Sequence, residues 1–428
     1  MRLSRILATT ALIAAAPSAA LATNGYFSHG YGTKNAGMAG AGTALSQDSI
    51  AAATNPAGMA FVGSRVDGGL EVFSPRRRYG VEGGVMPPPA GTFYLAPGTV
   101  QSENDAFLIP HFGYNRAMGN GHSLGLSVSA NGGMNTEYSG ENGGTFGAGK
   151  TGVNLEQLFI APTWSWEFSD GQALGISPLI AYQRFEAKGL QAFGNLGFSS
   201  NPNALTNNGT DEAWGYGLQI GWQGELTDTL RAGLNFRTIL EMEEFNKYEG
   251  LFAEQGGFDI PQMFNAGIAW SGLENHWLLL DVQHIRYSEI NSIGNPMMPA
   301  LMNVRGGDAS SQLGGDNGPG FGWDDMTIVK LGWQWQQSNE QTWRAGVSYG
   351  EQPIPDEEVL FNILAPGVQE WHFTGGFTHR FSEALEVSGM AFYSPRKTVR
   401  GENPMGPGQH IELSMSQVGA SFSVGYQF

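Results

Sequence analysis

Cysteine is absent from the sequence, and its absence excludes disulfides, zinc–thiolate centres and iron–sulfur clusters. Charged residues are also scarce: they make up 14% of the chain, whereas soluble globular domains contain about 25%. Acidic residues outnumber basic ones, and the net charge of −17 argues against nucleic-acid binding. Beyond the N-terminus, no stretch approaches the ~18 consecutive apolar residues that a membrane-spanning helix needs.

Two residue classes are abundant instead. The 428 residues include 63 glycines, and aromatic residues make up 11% of the chain. Low charge, many aromatics and no spanning helix are typical of a transmembrane β-barrel, in which each strand alternates an apolar face with a polar one.

The first 22 residues have the three parts of a secretory signal peptide. Arg2 and Arg5 form a positive start, and residues 6–16 form an apolar run too short to span a bilayer. Ala20-Leu21-Ala22 is a small-residue cleavage site, so the mature chain is expected to begin at Thr23. The alternative interpretation of these 22 residues is a buried N-terminal helix.

From about residue 64 onward, apolar and polar residues alternate in short segments, which predicts strands with two different faces. The last segment is typical, because one of its faces is formed by Val418, Ala420, Phe422, Val424, Tyr426 and Phe428. Fourteen such segments start near residues 65, 106, 122, 152, 172, 212, 229, 262, 276, 325, 342, 369, 384 and 413. The number is even, as single-chain bacterial barrels generally require.

The connections between these segments alternate between short turns and long loops. The long loops lie near residues 80–105, 135–151, 187–211, 246–261, 292–324, 351–368 and 395–412. Outer-membrane barrels show this asymmetry, with short periplasmic turns and long external loops. The sequence therefore predicts an all-β protein of the Gram-negative cell outer membrane, whose residues 64–428 form a 14-stranded antiparallel transmembrane β-barrel.

Residues 23–63 do not alternate. Residues 37–48 are rich in glycine and alanine, and the Asn55-Pro56-Ala57 motif marks a turn. Because a fourteen-stranded lumen is wide enough to conduct water unless it is filled, we expect this segment to form a hatch inside the barrel. The alternative is a flexible periplasmic tail, which its low charge disfavours.

These residues resemble the FadL-like outer-membrane transporters of long-chain fatty acids and aromatic hydrocarbons. The resemblance rests on Lys34, on the run 37–42, on Gln47-Asp48, on the run 51–57 and on Arg65-Val66-Asp67. A second patch combines Trp343-Arg344-Ala345-Gly346 with Gln352-Pro353-Ile354-Pro355. The resemblance implies a fourteen-stranded barrel with a hatch and no cofactor or energy coupling. It also implies capture of a hydrophobic ligand by outer loops, a pocket at the hatch tip, and sideways release at a kinked third strand.

Three groups of residues are candidates for this route. Gly132 and Gly133 of the third strand could open a lateral gap, or could simply end the strand. Tyr26, Phe27, His29 and Tyr31 could line a substrate pocket at the hatch tip, or could only pack the hatch. Outer-loop capture is assigned to Leu190, Phe193, Leu196, Phe198, Leu251, Phe252 and Phe258, with packing between loops as the alternative.

Four basic residues are candidates for contact with a substrate carboxylate: Arg184, Lys188, Lys330 and Arg344. Alternation turns Arg231 and Arg237 inward together with Lys330 and Arg344, and each of these four could pair with a fatty-acid carboxylate. It puts Arg184 on the lipid side unless a bulge intervenes. The alternative is pairing with lumenal acids such as Glu167 or Asp281, or with the hatch. The tenth strand begins with Asp324-Asp325, where a substrate carboxylate would favour a basic residue. This departure leaves uncharged hydrocarbons open as the substrate.

Other partners are expected at the two rims. Lipopolysaccharide phosphates are the expected partners of Arg76, Arg77, Arg78, Arg396, Lys397 and Arg400, with a solvated rim as the alternative. The aromatic end at Tyr426 and Phe428 is typical of outer-membrane barrels, and we expect the barrel-assembly machinery to act during biogenesis. The barrel is expected to be a monomer.

Two further functional classes are considered. A general diffusion porin would lack an ordered hatch and have a more charged constriction. An outer-membrane lipase or esterase is suggested by the G-x-S-x-G match at residues 346–350, but that motif needs a strand-to-helix elbow and here lies within an alternating strand. The eight histidines show no metal-binding spacing. We therefore expect a protein that is not an enzyme.

Overall fold

The computed structural model describes residues 24–84, 93 and 95–428, so the predicted signal peptide lies outside the described residues. Fourteen antiparallel strands form a closed barrel, and pairing of the last strand with the first closes it. The predicted fold class and strand number are confirmed, and each strand begins within three residues of its predicted start.

The first seven barrel strands are β1 (Arg65–Glu82), β2 (Phe107–Gly119), β3 (His122–Tyr138), β4 (Thr151–Ser169), β5 (Gln172–Lys188), β6 (Asp211–Thr227) and β7 (Leu230–Arg237). The other seven are β8 (Met263–Trp270), β9 (His276–Ile285), β10 (Met326–Gln336), β11 (Gln341–Gly350), β12 (Trp371–Arg380), β13 (Leu385–Glu402) and β14 (His410–Gln427). Two short strands add to the outer parts of β1 and β6: Gly98–Gln101 and Glu241–Met242.

Helical segments in the described residues are short. The α-helices are Thr33–Ala36, Ala253–Gly256, Asn291–Gly294 and Met297–Arg305. The 3-10 turns are Ala51–Ala53, Pro56–Phe61, Glu141–Gly143, Gln191–Phe193, Pro202–Ala204, Asn246–Tyr248, Tyr287–Glu289, Ala309–Ser311, Asp356–Glu358 and Phe361–Ile363. Among the described residues, no helix has both the length and the apolar character needed to cross a membrane.

The strand faces follow the alternation in the sequence. In β14, Phe422 and Val424 are exposed on the outer face, whereas Ser421 and Ser423 between them are buried inside. Large apolar side chains are exposed around the wall in the same way, as Leu331 of β10 illustrates at 51% exposure. Because lipid rather than water meets this face, the exposed apolar side chains do not destabilise the barrel.

The lumen is filled by residues 24–63, called the hatch from here on. The helix Thr33–Ala36 contacts β12, β13 and β14, whereas the turn Pro56–Phe61 contacts β3 to β6 on another part of the wall. Buried polar groups of the wall hold it in place: Asp281 of β9 accepts hydrogen bonds from the backbone nitrogens of Gly42 and Thr43 at 2.9 and 2.8 Å. Lys34 of the hatch forms an ion pair with Glu386 of β13, which also pairs with Arg65.

Asn55 and Pro56 fix the other end of the hatch. The Asn55 side chain donates to the carbonyl oxygens of Thr43 and Trp222 at 2.8 and 2.9 Å and accepts from the backbone nitrogen of Ala57 at 3.1 Å. Glycines in the facing strands leave room for this segment, because a Cβ at Gly221 would lie 2.0 Å from the Asn55 side-chain oxygen. The Asn-Pro-Ala motif thus attaches the hatch to β6 and caps the following turn.

Candidate functional site

A small apolar cavity of about 50 Å³ lies among the outer loops. Four of the predicted capture residues line it together: Leu190, Phe193, Leu251 and Phe252. The rest of the lining is also mostly apolar and includes Val153, Phe185, Leu313, Pro319, Phe321, Phe361 and Leu364. The outer loops therefore enclose a small space with the apolar lining that a hydrophobic ligand would need, and the loops would have to move apart to admit one.

The other three predicted capture residues lie elsewhere. Leu196 is 77% exposed at the loop surface. Phe198 packs against Phe193 with ring centres 6.1 Å apart, beside the cavity. Phe258 is buried more deeply, in contact with the hatch.

A continuous series of aromatic rings, called the entry series here, connects this cavity with the hatch. Phe185 at the cavity lies 4.7 Å from Phe252, and Phe252 lies 4.9 Å from Phe258, measured between ring centres. Phe258 in turn lies 6.2 Å from Tyr26 of the hatch. Contacts between apolar rings thus extend without interruption from the outer cavity into the lumen.

Tyr26 and Phe27 form the hatch tip at the inner end of this series, and both are fully buried. The Tyr26 ring packs 5.3 Å from Tyr287 and 6.0 Å from Trp323, two outer-loop residues that the sequence did not single out. Burial raises the pKa of Tyr26, so its hydroxyl stays protonated.

His29 and Tyr31 point into other surroundings. The His29 ring stacks on His372 of β12 at 5.4 Å and packs against Phe392 at 4.6 Å. Burial and the neighbouring His372 and Lys330 hold the pKa of His29 well below 6.5, so its ring is neutral. The Tyr31 hydroxyl donates to the side chain of Asn131 at 3.0 Å.

A second apolar cluster, called the wall cluster here, lies beside His29. Its large members are Phe73 of β1, Phe107 and Ile109 of β2, and Met390 and Phe392 of β13, and it also includes Ala36 of the hatch and Ala130 of β3. Residues 26–29 of the hatch therefore contact two apolar regions, the entry series through Tyr26 and the wall cluster through His29.

The barrel wall is irregular beside the wall cluster. The ladder between β2 and β3 begins at the tight turn and ends with Phe112 opposite Val128, and beyond it no further β2–β3 pair occurs among the described residues. β3 continues to Tyr138, paired with β4 and, at Gly132, with Phe27 of the hatch, and its register with β4 shifts between Ala130 and Gly132. The interpretation of the glycines as a plain strand end is therefore wrong, because the strand runs through them with a bulge.

Gly132 and Gly133 bring the hatch backbone against this bulge. Gly133 donates its backbone N–H to the carbonyl oxygen of Tyr26 at 3.0 Å, and Ser28 donates to that of Asn131 at 2.8 Å. A Cβ at Gly132 would lie 1.7 Å from the Tyr26 carbonyl oxygen, so only glycine permits this approach. The hatch tip is thus hydrogen-bonded to β3 at the point where β3 has left β2.

Two of the predicted basic contacts hold the hatch. Lys330 donates to the backbone oxygen of His29 at 3.1 Å. Arg344 donates to Gln47 of the hatch at 2.6 Å and to Thr378 of β12 at 2.7 Å. The alternative of pairing with the hatch therefore describes both side chains in this structure.

Arg184 and Lys188 face outward. Arg184 pairs with Glu156 at 2.8 Å, and Lys188 pairs with Glu186 at 3.2 Å. The pairing of β4 with β5 is regular in this region, so no bulge turns either side chain inward. Neither residue is positioned to meet a ligand in the lumen.

Arg237 at the end of β7 is a further inward-facing cation that the sequence offered as a possible contact for a substrate carboxylate. It is 1% exposed, and its guanidinium lies 4.8 Å from the Phe27 ring centre and 5.0 Å from that of Phe159. Its Nη1 donates to the side-chain oxygen of Asn131 at 3.1 Å. Alternation along β7 is enough to predict that its side chain points inward. Its contact with Asn131 beside the hatch tip depends in addition on the bulge in β3.

The basic residues of the outer rim divide between the two faces. Arg77 was expected at the rim, but it points inward, is buried, and donates to the Asn104 backbone oxygen at 2.6 Å. The reason is the period of two, which turns the middle residue of an Arg-Arg-Arg run away from its neighbours. Arg78 bonds Ser414, Lys397 pairs with Glu370 and Arg400 pairs with Glu82.

The structure shows only part of the arrangement that a lipase or esterase would need around Ser348. Ser348 lies within β11 rather than at a strand-to-helix elbow, and its hydroxyl lies 3.4 Å from His372 Nδ1, beneath the hatch. In the part of the chain that the structure describes, no three His, Asp or Glu side chains are grouped so that they could hold a metal ion.

A closed barrel with an apolar outer face, an apolar cavity at its outer end and a filled lumen defines a channel protein of the outer membrane. The chain belongs to the outer membrane protein transport protein family (OMPP1/FadL/TodX), whose model matches residues 11–428. This family consists of transport channels, and the predicted family and outer-membrane location are confirmed.

Individual relatives are distant in sequence. The long-chain fatty acid transport protein of Escherichia coli O6:H1 is 20% identical over 331 residues, covering 68% of this chain and 70% of that protein. The crystal structure of the P. putida toluene transporter TodX has a TM-score of 0.66 at 16% identity, covering 94% of this chain and 99% of that one. The crystal structure of a Pseudomonas aeruginosa FadL homologue has a TM-score of 0.67 at 16% identity, covering 94% and 100%. These structural likenesses show the fold.

Proposed function

We propose that this protein imports hydrophobic molecules passively across the outer membrane, with long-chain fatty acids and aromatic or aliphatic hydrocarbons as the substrate class. The observation that carries the proposal is the entry series, which joins the outer cavity to the hatch tip through ring contacts of 4.7, 4.9 and 6.2 Å. The named activities of the relatives, fatty acid and toluene transport, fall in the same class.

The route has three steps. The outer cavity captures the ligand, because apolar surface is favourably removed from water there. The ligand then moves along the entry series and displaces the hatch tip, which is held by few backbone hydrogen bonds. Finally it passes the wall cluster and leaves sideways between β2 and β3, where the ladder is unpaired.

Growth tests the overall function. A deletion strain should grow poorly on palmitate or toluene as carbon source and normally on a small sugar. Unimpaired growth on every hydrophobic carbon source tested would remove the import proposal. Impaired sugar uptake instead would favour a general porin, which the filled lumen disfavours.

A crosslink tests lateral release. Ile109 of β2 and Ala130 of β3 belong to the same buried cluster on opposite sides of the unpaired region. Because the chain has no cysteine, the pair Ile109→Cys with Ala130→Cys can be closed by a disulfide or a short bismaleimide without side reactions. Closure should stop uptake of palmitate, and the two single variants treated in the same way should transport normally. Full uptake with the crosslink in place would exclude this exit.

The outer rim is proposed to bind lipopolysaccharide. Arg76 of β1 and Arg396 of β13 are exposed on the outer face, on either side of β14 and just beyond the apolar residues Val72 and Tyr393. Guanidinium groups at this level suit the phosphates of the outer leaflet. Replacing both arginines with alanine should weaken binding of purified lipopolysaccharide to the folded protein. Unchanged binding would leave a solvated rim.

We also propose that the barrel works as a monomer and that its aromatic end engages the barrel-assembly machinery. Phe428 and Tyr426 are 53% and 49% exposed on the outer face. Phe428→Ala should slow the appearance of folded barrel in the outer membrane, which a gel-shift assay of heat-modifiable protein measures. Wild-type assembly kinetics in that variant would exclude the contribution of this residue.

A further inference from the structure

A polar cavity of about 230 Å³ lies at the periplasmic end of the bore, between the hatch and the wall. The short turn between β10 and β11 borders it through Asn339 and Glu340, and the end of the hatch borders it through Phe61 and Val62. Short turns of outer-membrane barrels face the periplasm, so the cavity faces that compartment. It is therefore separate from the entry series, which begins at the outer loops.

Four cationic side chains line this cavity: Lys34, Arg65, Arg344 and Arg380. The first two have carboxylate partners. Lys34 and Arg65 share Glu386, and Arg65 also forms an ion pair with Asp67 at 2.6 Å. The other carboxylate on the lining, Glu340, is exposed at the rim and forms no ion pair with any described residue. The two remaining cations therefore lack a comparable counter-charge.

Arg344 of β11 has only neutral hydrogen-bond partners, although it is buried. It donates to Gln47 at 2.6 and 3.0 Å, to Gln334 at 2.9 Å and to Thr378 at 2.7 Å. These bonds use the Nε–H and one N–H of each terminal nitrogen, so two of its five N–H groups have no acceptor among the described residues. Asp48 of the hatch attracts it only from a distance, without an ion pair. A buried charge with neutral partners alone is costly, and an anion in the cavity would offset that cost.

Arg380 and Thr342 lie beside Arg344 on the inner wall. Thr342 of β11 pairs with Thr378 of β12, and Arg344 and Arg380 follow two residues later on the same face of each strand. Arg380 is 44% exposed and reaches Glu386 only at 3.8 Å. The Thr342 hydroxyl makes no hydrogen bond with any residue that the structure describes. Two guanidinium groups and a free hydroxyl thus line the same part of the cavity.

We propose that the periplasmic mouth of the bore binds a small soluble phosphate or phosphate monoester, held by Arg344, Arg380 and Thr342. Guanidinium groups with spare N–H groups suit the oxygens of such an anion. A phosphate monoester carries close to two negative charges at neutral pH, which matches two guanidinium groups better than one carboxylate does. Because these side chains face the bore rather than the lipid, the anion reaches them from periplasmic water. The site does not depend on the import route.

Calorimetric titration with inorganic phosphate tests the site on purified protein in phosphatidylcholine nanodiscs at low ionic strength. Wild type should bind one phosphate per chain, and Arg380→Gln should lose roughly tenfold or more in affinity, because charge-assisted hydrogen bonds are removed. The matched control is Arg231→Gln, which also removes an arginine near the periplasmic end. Arg231 pairs with Glu225 and does not line the cavity, so this variant should bind phosphate as wild type does.

Three results would overturn the proposal: no phosphate binding by folded wild type, undiminished binding by Arg380→Gln, or equal weakening in Arg380→Gln and Arg231→Gln. Should Arg380→Gln not fold, Thr342→Val keeps the shape of the side chain and removes only the hydroxyl. Its phosphate affinity should fall, and an unchanged affinity would then exclude the site.

A second arm distinguishes a soluble anion from a lipid headgroup. Adding phosphatidylglycerol to the nanodiscs should leave the phosphate affinity of wild type unchanged. Competition by that lipid would overturn the assignment to a soluble anion and give the site to a headgroup. Palmitate uptake is a separate measurement, so failure of the phosphate site and failure of the import proposal are distinguishable.

Discussion

Replacing Asp281 tests how firmly the hatch is closed. One oxygen of this buried carboxylate accepts from Gly42 N, Thr43 N and Thr43 Oγ1 at 2.9, 2.8 and 2.7 Å. Asp281→Ala leaves two buried backbone N–H groups without an acceptor, at about 1–3 kcal/mol each. The total of about 4 kcal/mol corresponds to roughly a thousandfold increase in the open population of this part of the hatch.

Hydrogen–deuterium exchange measures that change directly. The amides of residues 37–45 should exchange much faster in Asp281→Ala, whereas those of the barrel strands should keep their wild-type rates. Asp281→Asn is the matched control, because it keeps an oxygen acceptor of the same shape and loses only the charge, and its effect should be smaller. Wild-type protection of Gly42 and Thr43 in the alanine variant would refute the view that Asp281 holds the hatch.

Three further predictions concern the hatch tip and the enzyme alternative. Gly132→Leu should detach the tip from β3, because its side chain would overlap the Tyr26 carbonyl, and the ion conductance of single barrels in planar bilayers should rise; unchanged conductance would contradict this. Because His29 is buried neutral with a lowered pKa, the stability it gives the hatch is present above the unfolded pKa of about 6.5 and lost as the pH falls below it. Conductance should therefore rise between about pH 7 and pH 5, and less so in His29→Phe; an equal rise in that variant would exclude His29 as the cause. Ser348→Ala should leave palmitate uptake and background esterase activity unchanged, and a selective loss of ester hydrolysis would reopen the enzyme alternative.

The barrel could be predicted from the sequence because its determinant is local. A strand is recognised by the alternation of apolar and polar residues alone, and the length of each turn or loop can be read from the sequence between two strands. The predicted strand starts therefore agree with the observed ones within three residues. The same rule also predicts features that are easily overlooked: it turns Arg77 inward and Arg184 outward, as the structure has them.

The site could be predicted only in part, because it depends on contacts between distant segments. The loop residues Leu190 and Phe252 were recognisable as an apolar group, but only the fold places Phe258 below them and against Tyr26. The bulge at Asn131 shifts the register of β3 and brings that side chain to Arg237. No pattern in the sequence indicates this pairing, since the two residues are far apart along the chain.

The position of the hatch anchors has a consequence for the cell. Lys34, Asn55 and the segment bonded by Asp281 are all fixed to the wall by side-chain contacts, whereas Tyr26 and Ser28 are bonded to the backbone of β3 at its bulge. On the proposed route, displacing the tip alone would leave these anchored parts of the hatch inside the barrel. Import by that route would admit hydrophobic molecules without opening the barrel to solutes that dissolve in water.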